Sequence, residues 1–336
     1  MASGQNIMHV AFVGPAFLDG FFLPSMQALE RAGHRASRYT DPAAFTADTD
    51  ALASLDVLAA LPNFPIGAAL MDKAPNLRAL ISPITGTEGF DEPEASARAI
   101  LVANGHIEEN YTSMGEAAVM LALAALYDLH GTERRLRENL PRPAHLTART
   151  MMGKTVGIVG FGKIGQVVAS RLQTWHVSLL ASVRTPRPLP GYVSAVTLDE
   201  LLDRSDVVIV AAALSDDTRG MLSYDRLRRM KEDAVFVNVS RGGIAPDADV
   251  HRLAVERPRM RLALDVFDPE PLAPDSPLRD LPNAILTPHQ AGHTFETHDR
   301  LPHVLAEAVA DVIEGRVPRY VRNPGIADRW TARWAR

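Results

Sequence analysis

The stretch Thr155-Val156-Gly157-Ile158-Val159-Gly160-Phe161-Gly162-Lys163-Ile164-Gly165 decides the fold. An apolar run ends in glycine and passes directly into a helical pattern, Ile164–Leu172, which reads as a buried parallel strand turning into a helix. The GxGxxG spacing gives each glycine a task. Gly160 permits the tight turn, Gly162 lets the backbone approach a pyrophosphate, and Gly165 lets the helix pack close to the strand. The unpaired N–H groups around Phe161, Lys163 and Ile164, together with the dipole of the helix start, would face the phosphates. A tight turn without ligand is the competing reading, and the flanking strand and helix patterns argue against it.

Working outward, strands are expected at Val177–Ala181, Val207–Ala212, Ala234–Val239, Arg261–Val266 and Ala284–Thr287, with helical segments between most of them. Val207–Leu214 is apolar on both faces, as a central parallel strand should be. The N-terminal part repeats this style, with strands expected at Ile7–Gly14, Val57–Leu61, Leu77–Ser82 and Ile100–Val102 and a helix at Pro24–Ala32. A long helix is expected from Ser113 to about Asn139, with Ser113 and Glu116 as a capping box, and another near Thr294–Glu314 ahead of a polar tail. Strands alternating with helices imply parallel sheets covered on both faces, an α/β protein.

The composition fits this reading. The chain has 336 residues, about two domains at roughly 100–200 residues each. Hydrophobic residues make up 46% and charged residues 22%, which excludes a disordered or fibrous chain. The net charge of −5 gives no electrostatic reason to expect nucleic-acid binding. There is no cysteine, so no disulfide, thiolate nucleophile or cysteine-based metal site is possible, in keeping with a reducing cytoplasm. The longest apolar run, Ala117–Tyr127, is far short of a membrane span. Met1–Asn6 shows no basic region leading into an apolar segment, so no signal peptide is expected.

The strand after the glycine loop ends Ser182-Val183-Arg184-Thr185, where an NAD-type site carries an acid for the ribose hydroxyls. A carboxylate would repel a 2′-phosphate, whereas Ser182, Arg184 and Thr185 would bind one, so NADP(H) is expected over NAD(H). Arg184 as a merely solvated loop residue is the bland alternative. Three later segments each place a polar residue just past an apolar strand: Arg241, Glu270 and His289. Ligands bind beyond the carboxyl ends of such strands, so the three can converge. Reducing a 2-keto acid needs a cation for the carboxylate, an acid for the developing alkoxide and a hydride donor. Arg241 offers a planar fork of donors, His289 a proton near neutral pH, and a carboxylate at Glu270 would orient the imidazole and favour its charged form. Singly, each has a bland reading as a surface cation, a solvated turn residue or a helix cap. His293, four residues beyond His289, brings no accompanying HExxH pattern, and no metal is expected.

The segments GKTVGIVGFGKIG, VNVSRGG, LDVFDPEP and TPHQAGHT, in this order, resemble the D-isomer-specific 2-hydroxyacid dehydrogenase family, glyoxylate/hydroxypyruvate reductases in particular. The resemblance implies two Rossmann-like doubly wound domains: a dinucleotide-binding domain, residues 109–292, inserted into a substrate domain, residues 1–108 and 293–336. It implies that Arg241 binds and polarises substrate, that Glu270 supports His289, and that His289 is the acid/base. Asp265 would meet the nicotinamide carboxamide. Ala213 and Thr218 lie in the segment resembling the family's loop beneath the adenine and ribose, and Val239, Ser240 and Gly292 complete the expected cofactor contacts. The segment Ser82–Asp91 resembles the family's substrate-carboxylate loop, with Thr85 and Gly86 as backbone donors and with Ile84 and Glu88 departing from its pattern. Asn63 and Phe64 are candidate substrate liners. A homodimer formed through the region of the long helix is implied as well. Two other readings compete: a nucleotide-sensing binding protein, against which the intact Arg–Glu–His set argues, and a formate-type dehydrogenase, which lacks an acid at the Glu270 position.

Overall fold

The computed structural model describes residues 7–334; Met1–Asn6, where no signal peptide is expected, lie outside the described residues. The chain divides into two compact units, Met1–Asn110 with Thr294–Arg336, and Tyr111–His293. The second is therefore inserted in the sequence of the first.

The first unit holds the strands β1 (His9–Val13), β2 (Arg35–Tyr39), β3 (Val57–Ala60), β4 (Ala79–Ile81) and β5 (Leu101–Ala103). They pair in parallel in the order β2-β1-β3-β4-β5. The second unit holds β6 (Thr155–Val159), β7 (Ser178–Ser182), β8 (Val193–Ala195), β9 (Val207–Val210), β10 (Val235–Asn238), β11 (Arg261–Leu264) and β12 (Ala284–Leu286). These form an all-parallel sheet ordered β12-β11-β10-β9-β6-β7-β8. The chain runs outward from β6 to β8, then returns to β9 and winds the other way. The direction reverses between β6 and β9, the crevice where a doubly wound sheet holds its ligand.

Both faces of each sheet are covered, which is why the strands read as unbroken apolar runs. Along β9, Val208 and Val210 enter one apolar cluster and Val207 and Ile209 the opposite one. Along β1, Ala11 and Val13 face one cluster while Val10 and Phe12 face the other. Each fully buried Val, Leu, Ile or Phe contributes about 1.5–3 kcal/mol, so these two-sided strands are the main source of cohesion.

Several elements depart from the sequence expectation. Strands β2 and β8 carry no apolar run: Arg-Ala-Ser-Arg-Tyr is only partly buried, and β8 spans three residues at the other sheet's edge. The first long helix begins at Asp19, with Pro24 inside it. Ser113 is not a cap, because the helix starts at Glu108, where Glu108 and Glu109 complement its dipole. That helix ends at Leu126 and a second runs from Leu129 to Arg137, bent by 59° where Asp128 takes a left-handed φ of 50°. The C-terminal tail is a helix, Ala327–Trp334, rather than a polar strand of chain. Its Trp330 is fully buried and donates its indole N–H to the Arg78 carbonyl at 2.8 Å. Phe64 lies buried in the core, its ring against that of Phe45. Among the described residues no single helix is long and apolar enough to cross a membrane.

Candidate active site

The glycine loop leaves the carboxyl end of β6. Gly160 has a φ of 89°, and a Cβ there would stand 2.6 Å from the Ala212 Cα, so only glycine fits this turn. Gly162 caps the helix Lys163–Leu172 from an extended conformation, and a Cβ there would meet nothing within 4 Å. Space therefore opens in front of the helix N-terminus. Gly165 seats the helix on the turn, since a Cβ there would lie 2.5 Å from the Gly160 carbonyl oxygen. Between the glycines, the Phe161 ring is buried, so only its backbone faces the loop, and its carbonyl accepts from Arg187. Ile164 is partly buried, and the Lys163 ammonium sits 5.8 Å from the centre of the Tyr111 ring.

Around this loop lie the other residues expected to serve a cofactor. Ser182 ends β7, and Arg184 and Thr185 follow it. The Arg184 guanidinium is exposed and pairs at 3.4 Å with the equally exposed Asp217. Thr218 donates to the Ala213 carbonyl at 2.8 Å and accepts from the Ser215 N–H at 2.7 Å, which closes that loop on itself. Val239 is buried, and Ser240 donates its hydroxyl to the Ala212 carbonyl. The Gly292 carbonyl accepts from Ser113 at 2.7 Å.

Beyond β10, β11 and β12 the structure brings Arg241, Glu270 and His289 toward one place. Gly242, next to Arg241, packs so closely on the following turn that a Cβ would lie 2.5 Å from the Phe267 Cα. Arg241 donates to the Ser240 carbonyl at 2.8 Å, and its own carbonyl accepts from Asn238. Glu270 accepts from the Phe267 N–H at 2.9 Å through one carboxylate oxygen and meets His289 Nδ1 at 2.7 Å through the other. Burial pushes the Glu270 carboxyl up. The hydrogen bonds from His289 and Phe267, and the charges of His289 and Arg241, outweigh burial and hold it below the ordinary carboxylate range.

The backbone of His289 is itself unusual. Its φ is 55°, a left-handed conformation that costs a non-glycine residue about 1–3 kcal/mol. Its N–H is held by the Asp265 carbonyl at 2.8 Å and the Thr287 carbonyl at 3.0 Å. The fully buried Asp265 organises this turn. Its Oδ1 accepts from the Thr287 hydroxyl at 2.6 Å and from the N–H groups of Gln290 and Ala291. Its Oδ2 is buried with no partner among the described residues.

Sequence reasoning overlooked two supporting residues. Thr287 fixes Asp265, and the hydroxyl next to Pro288 was its only signal. Asp247 accepts from the Asp268 N–H at 3.3 Å and so ties the helix Asp247–Glu256 to the turn carrying Glu270. Burial pushes the Asp247 carboxyl up, and the charges of Asp268 and Glu270 add to this against the Asp268 hydrogen bond. Asn63, Thr85 and Gly86 belong to the first unit, in the loops after β3 and β4. Asn63 is exposed, and Thr85 donates to the Asn110 side chain at 3.0 Å. Among the described residues no three His, Asp or Glu side chains gather as a metal site.

Comparison with known proteins turns this geometry into a family assignment. Residues 119–291 match the model of the D-isomer specific 2-hydroxyacid dehydrogenase NAD binding domain. A glyoxylate reductase of Thermofilum pendens is 32% identical over 281 residues, covering 80% of this chain and 81% of that protein. The chain belongs to the D-isomer-specific 2-hydroxyacid dehydrogenase family. The family is one of NAD(P)-dependent oxidoreductases acting on CH–OH groups, and this dehydrogenase shares its two-sheet architecture with solved structures. An NAD-dependent formate dehydrogenase from Staphylococcus aureus in complex with NAD superposes with a TM-score of 0.79 at 26% identity, over 90% of this chain and 95% of that one. An NADPH-dependent glyoxylate/hydroxypyruvate reductase from Sinorhizobium meliloti superposes with a TM-score of 0.79 at 25% identity, over 93% and 96%. The dehydrogenase's own residues fit a dinucleotide on two counts: the open space before Gly162, and the partnerless buried oxygen of Asp265, which suits an amide N–H donor.

Proposed function

We propose that the enzyme reduces a small 2-keto acid of the glyoxylate or hydroxypyruvate type to its D-2-hydroxy acid, with NADPH preferred over NADH. The observation that carries this reading is the 2.7 Å contact of Glu270 with His289 beside the Arg241 loop. When bound, the cofactor supplies the hydride. Arg241 binds the substrate carboxylate and draws electron density from the keto oxygen. Glu270 holds the imidazole through Nδ1, which leaves Nε2 to deliver a proton to the developing alkoxide. Asp265 receives the carboxamide, and Ser182, Arg184 and Thr185 receive a 2′-phosphate. The remaining cofactor contacts fall to the glycine loop, to Ala213 and Thr218, and to Val239, Ser240 and Gly292. Asn63, Thr85 and Gly86 select the substrate. The NADPH preference is supported by the lack of an acid in Ser182-Val183-Arg184-Thr185. The presence of Glu270 speaks for a 2-keto acid rather than formate.

The test is oxidation of NADPH and NADH with a panel of 2-keto acids, alongside NAD⁺ reduction by formate. Turnover of glyoxylate or hydroxypyruvate with NADPH, lost in His289→Ala, is expected. Cofactor binding without any turnover would instead favour a sensing protein, formate oxidation a formate-type enzyme, and faster turnover with NADH would overturn the cofactor preference.

We further propose a cytoplasmic homodimer. The cysteine-free composition suits a reducing compartment. Leu129, Leu136 and Leu146 are 60%, 85% and 93% exposed along the segment after the long helix, a concentration of bare apolar side chains that a second copy would cover. Light scattering on the eluted protein should give twice the chain mass, and Leu136→Glu should halve it.

A further inference from the structure

The first unit contains a cavity that takes no part in the reaction proposed above. It lies at the amino ends of the strands: Met8, His34 and Arg78, the residues just before β1, β2 and β4, form its floor. The loops assigned to substrate leave the carboxyl ends of β3 and β4, so the two lie at opposite ends of the same sheet. The cavity measures about 660 Å³, within the range of sites that hold small organic ligands.

Its walls differ in character. Leu29 of the helix Asp19–Arg31 and Val309 and Ile313 of the helix Phe295–Ile313 make one side apolar. The other side is the Trp334 indole with two guanidinium groups beside it, Arg78 at 4.8 Å and Arg333 at 4.4 Å from its ring. Arg78 is already neutralised by Asp56 at 2.9 Å. Arg333 donates to the Arg98 carbonyl at 2.7 Å but pairs with no carboxylate among the described residues. Glu314 also lines the cavity, where Arg316 pairs with both Glu314 and Asp311. Among the described residues, Arg333 is therefore the lining guanidinium that has no carboxylate partner. Ser25, on the inner wall, keeps a buried hydroxyl with no hydrogen-bond partner among the described residues.

An apolar wall, an indole and a guanidinium with no carboxylate partner together suit an aromatic body that carries one negative charge. We propose that this cavity is a second ligand site, for an aromatic carboxylate, separate from the site that binds the 2-keto acid.

The experiment is calorimetric titration of the protein with 2-naphthoate, in the wild type and in Arg241→Ala, whose substrate site has lost its guanidinium. Binding at one site per chain is expected in both. Arg333→Ala should weaken it about tenfold, and Ala310→Trp, which fills the cavity from the helix Phe295–Ile313, should abolish it. Both cavity variants should retain the wild-type circular-dichroism spectrum and cooperative thermal melt, which shows that they fold. Absence of heat in the wild type, binding lost in Arg241→Ala, or binding undisturbed in a folded Ala310→Trp would each overturn the proposal. A failure of the 2-keto acid assay itself would leave this titration readable, because it does not depend on turnover.

Discussion

At the scale of single residues, the pair Glu270–His289 is the most informative contact in the molecule. A carboxylate that accepts from Nδ1 fixes both the tautomer and the plane of the ring. Glu270→Gln keeps a side chain of the same length and removes the charge. Its kcat for 2-keto acid reduction is expected to fall about tenfold, less than the roughly 10²–10⁴-fold loss expected on removing the proposed proton donor in His289→Ala. Because the folded-state pKa of Glu270 is depressed, its stabilising contribution is present above the unfolded value and is lost as pH falls through the folded one. Thermal melts of Glu270→Gln should accordingly show a shallower loss of stability on the acid side, and curves parallel to wild type would argue against the ion pair. The residues of this pair were legible in the sequence because each lies in the segment just past an apolar strand. Asp247 and Thr287 were not. Each matters through side-chain contact with a residue of another segment, and such contacts leave no pattern along the chain.

Among the elements, β1 combines a fully apolar run with a polar start. His9 is buried, with Ser54 Oγ at 2.9 Å from Nδ1 and Ser37 Oγ at 2.9 Å from Nε2. Burial, reinforced by the charge of Arg35, lowers its pKa from 6.5 to about 4. Below about pH 6.5 the unfolded chain therefore takes up a proton that the folded chain refuses, and stability falls until the pH reaches about 4. The loss is at most about 3 kcal/mol. His9→Gln keeps a hydrogen-bonding side chain that does not titrate, so its melting temperature should change less than that of wild type between pH 7 and pH 4.5. An equal decline in both would show that other groups carry the effect. The central strands were legible for the reason that β1 was: both faces are buried, so the run is continuous. The edge strands β2 and β8 lack that run, because an edge is only partly covered and its side chains stay polar or small. The C-terminal helix was missed because its burial rests on two tryptophans four residues apart among charged neighbours.

For the molecule as a whole, that last helix is the anchor of the first unit. Trp330 lies in one cluster with Val10 and Phe12 of β1, Val57 and Ala59 of β3, and Leu305 and Val309 of the helix Phe295–Ile313. Trp330→Ala should cost about 3–5 kcal/mol. Hydrogen exchange should quicken in the strands β1–β5 and stay at wild-type rates in β6–β12, since each unit keeps its own core. Uniform acceleration across both sheets would contradict that independence.

The split of the first unit also sets a timetable for its birth. Met1–Asn110 leaves the ribosome before the rest of its unit: Leu18, Phe22 and Leu29 can cover part of one face of its sheet at once, but Leu305, Val309 and Trp330, which complete that cover, emerge only after the inserted unit. The 183 residues of Tyr111–His293 must be translated in between. At about 5–20 residues per second, the wait is on the order of 10–40 s. During that interval the nascent chain carries an incompletely covered hydrophobic face, and this is when a chaperone has most to do for this protein.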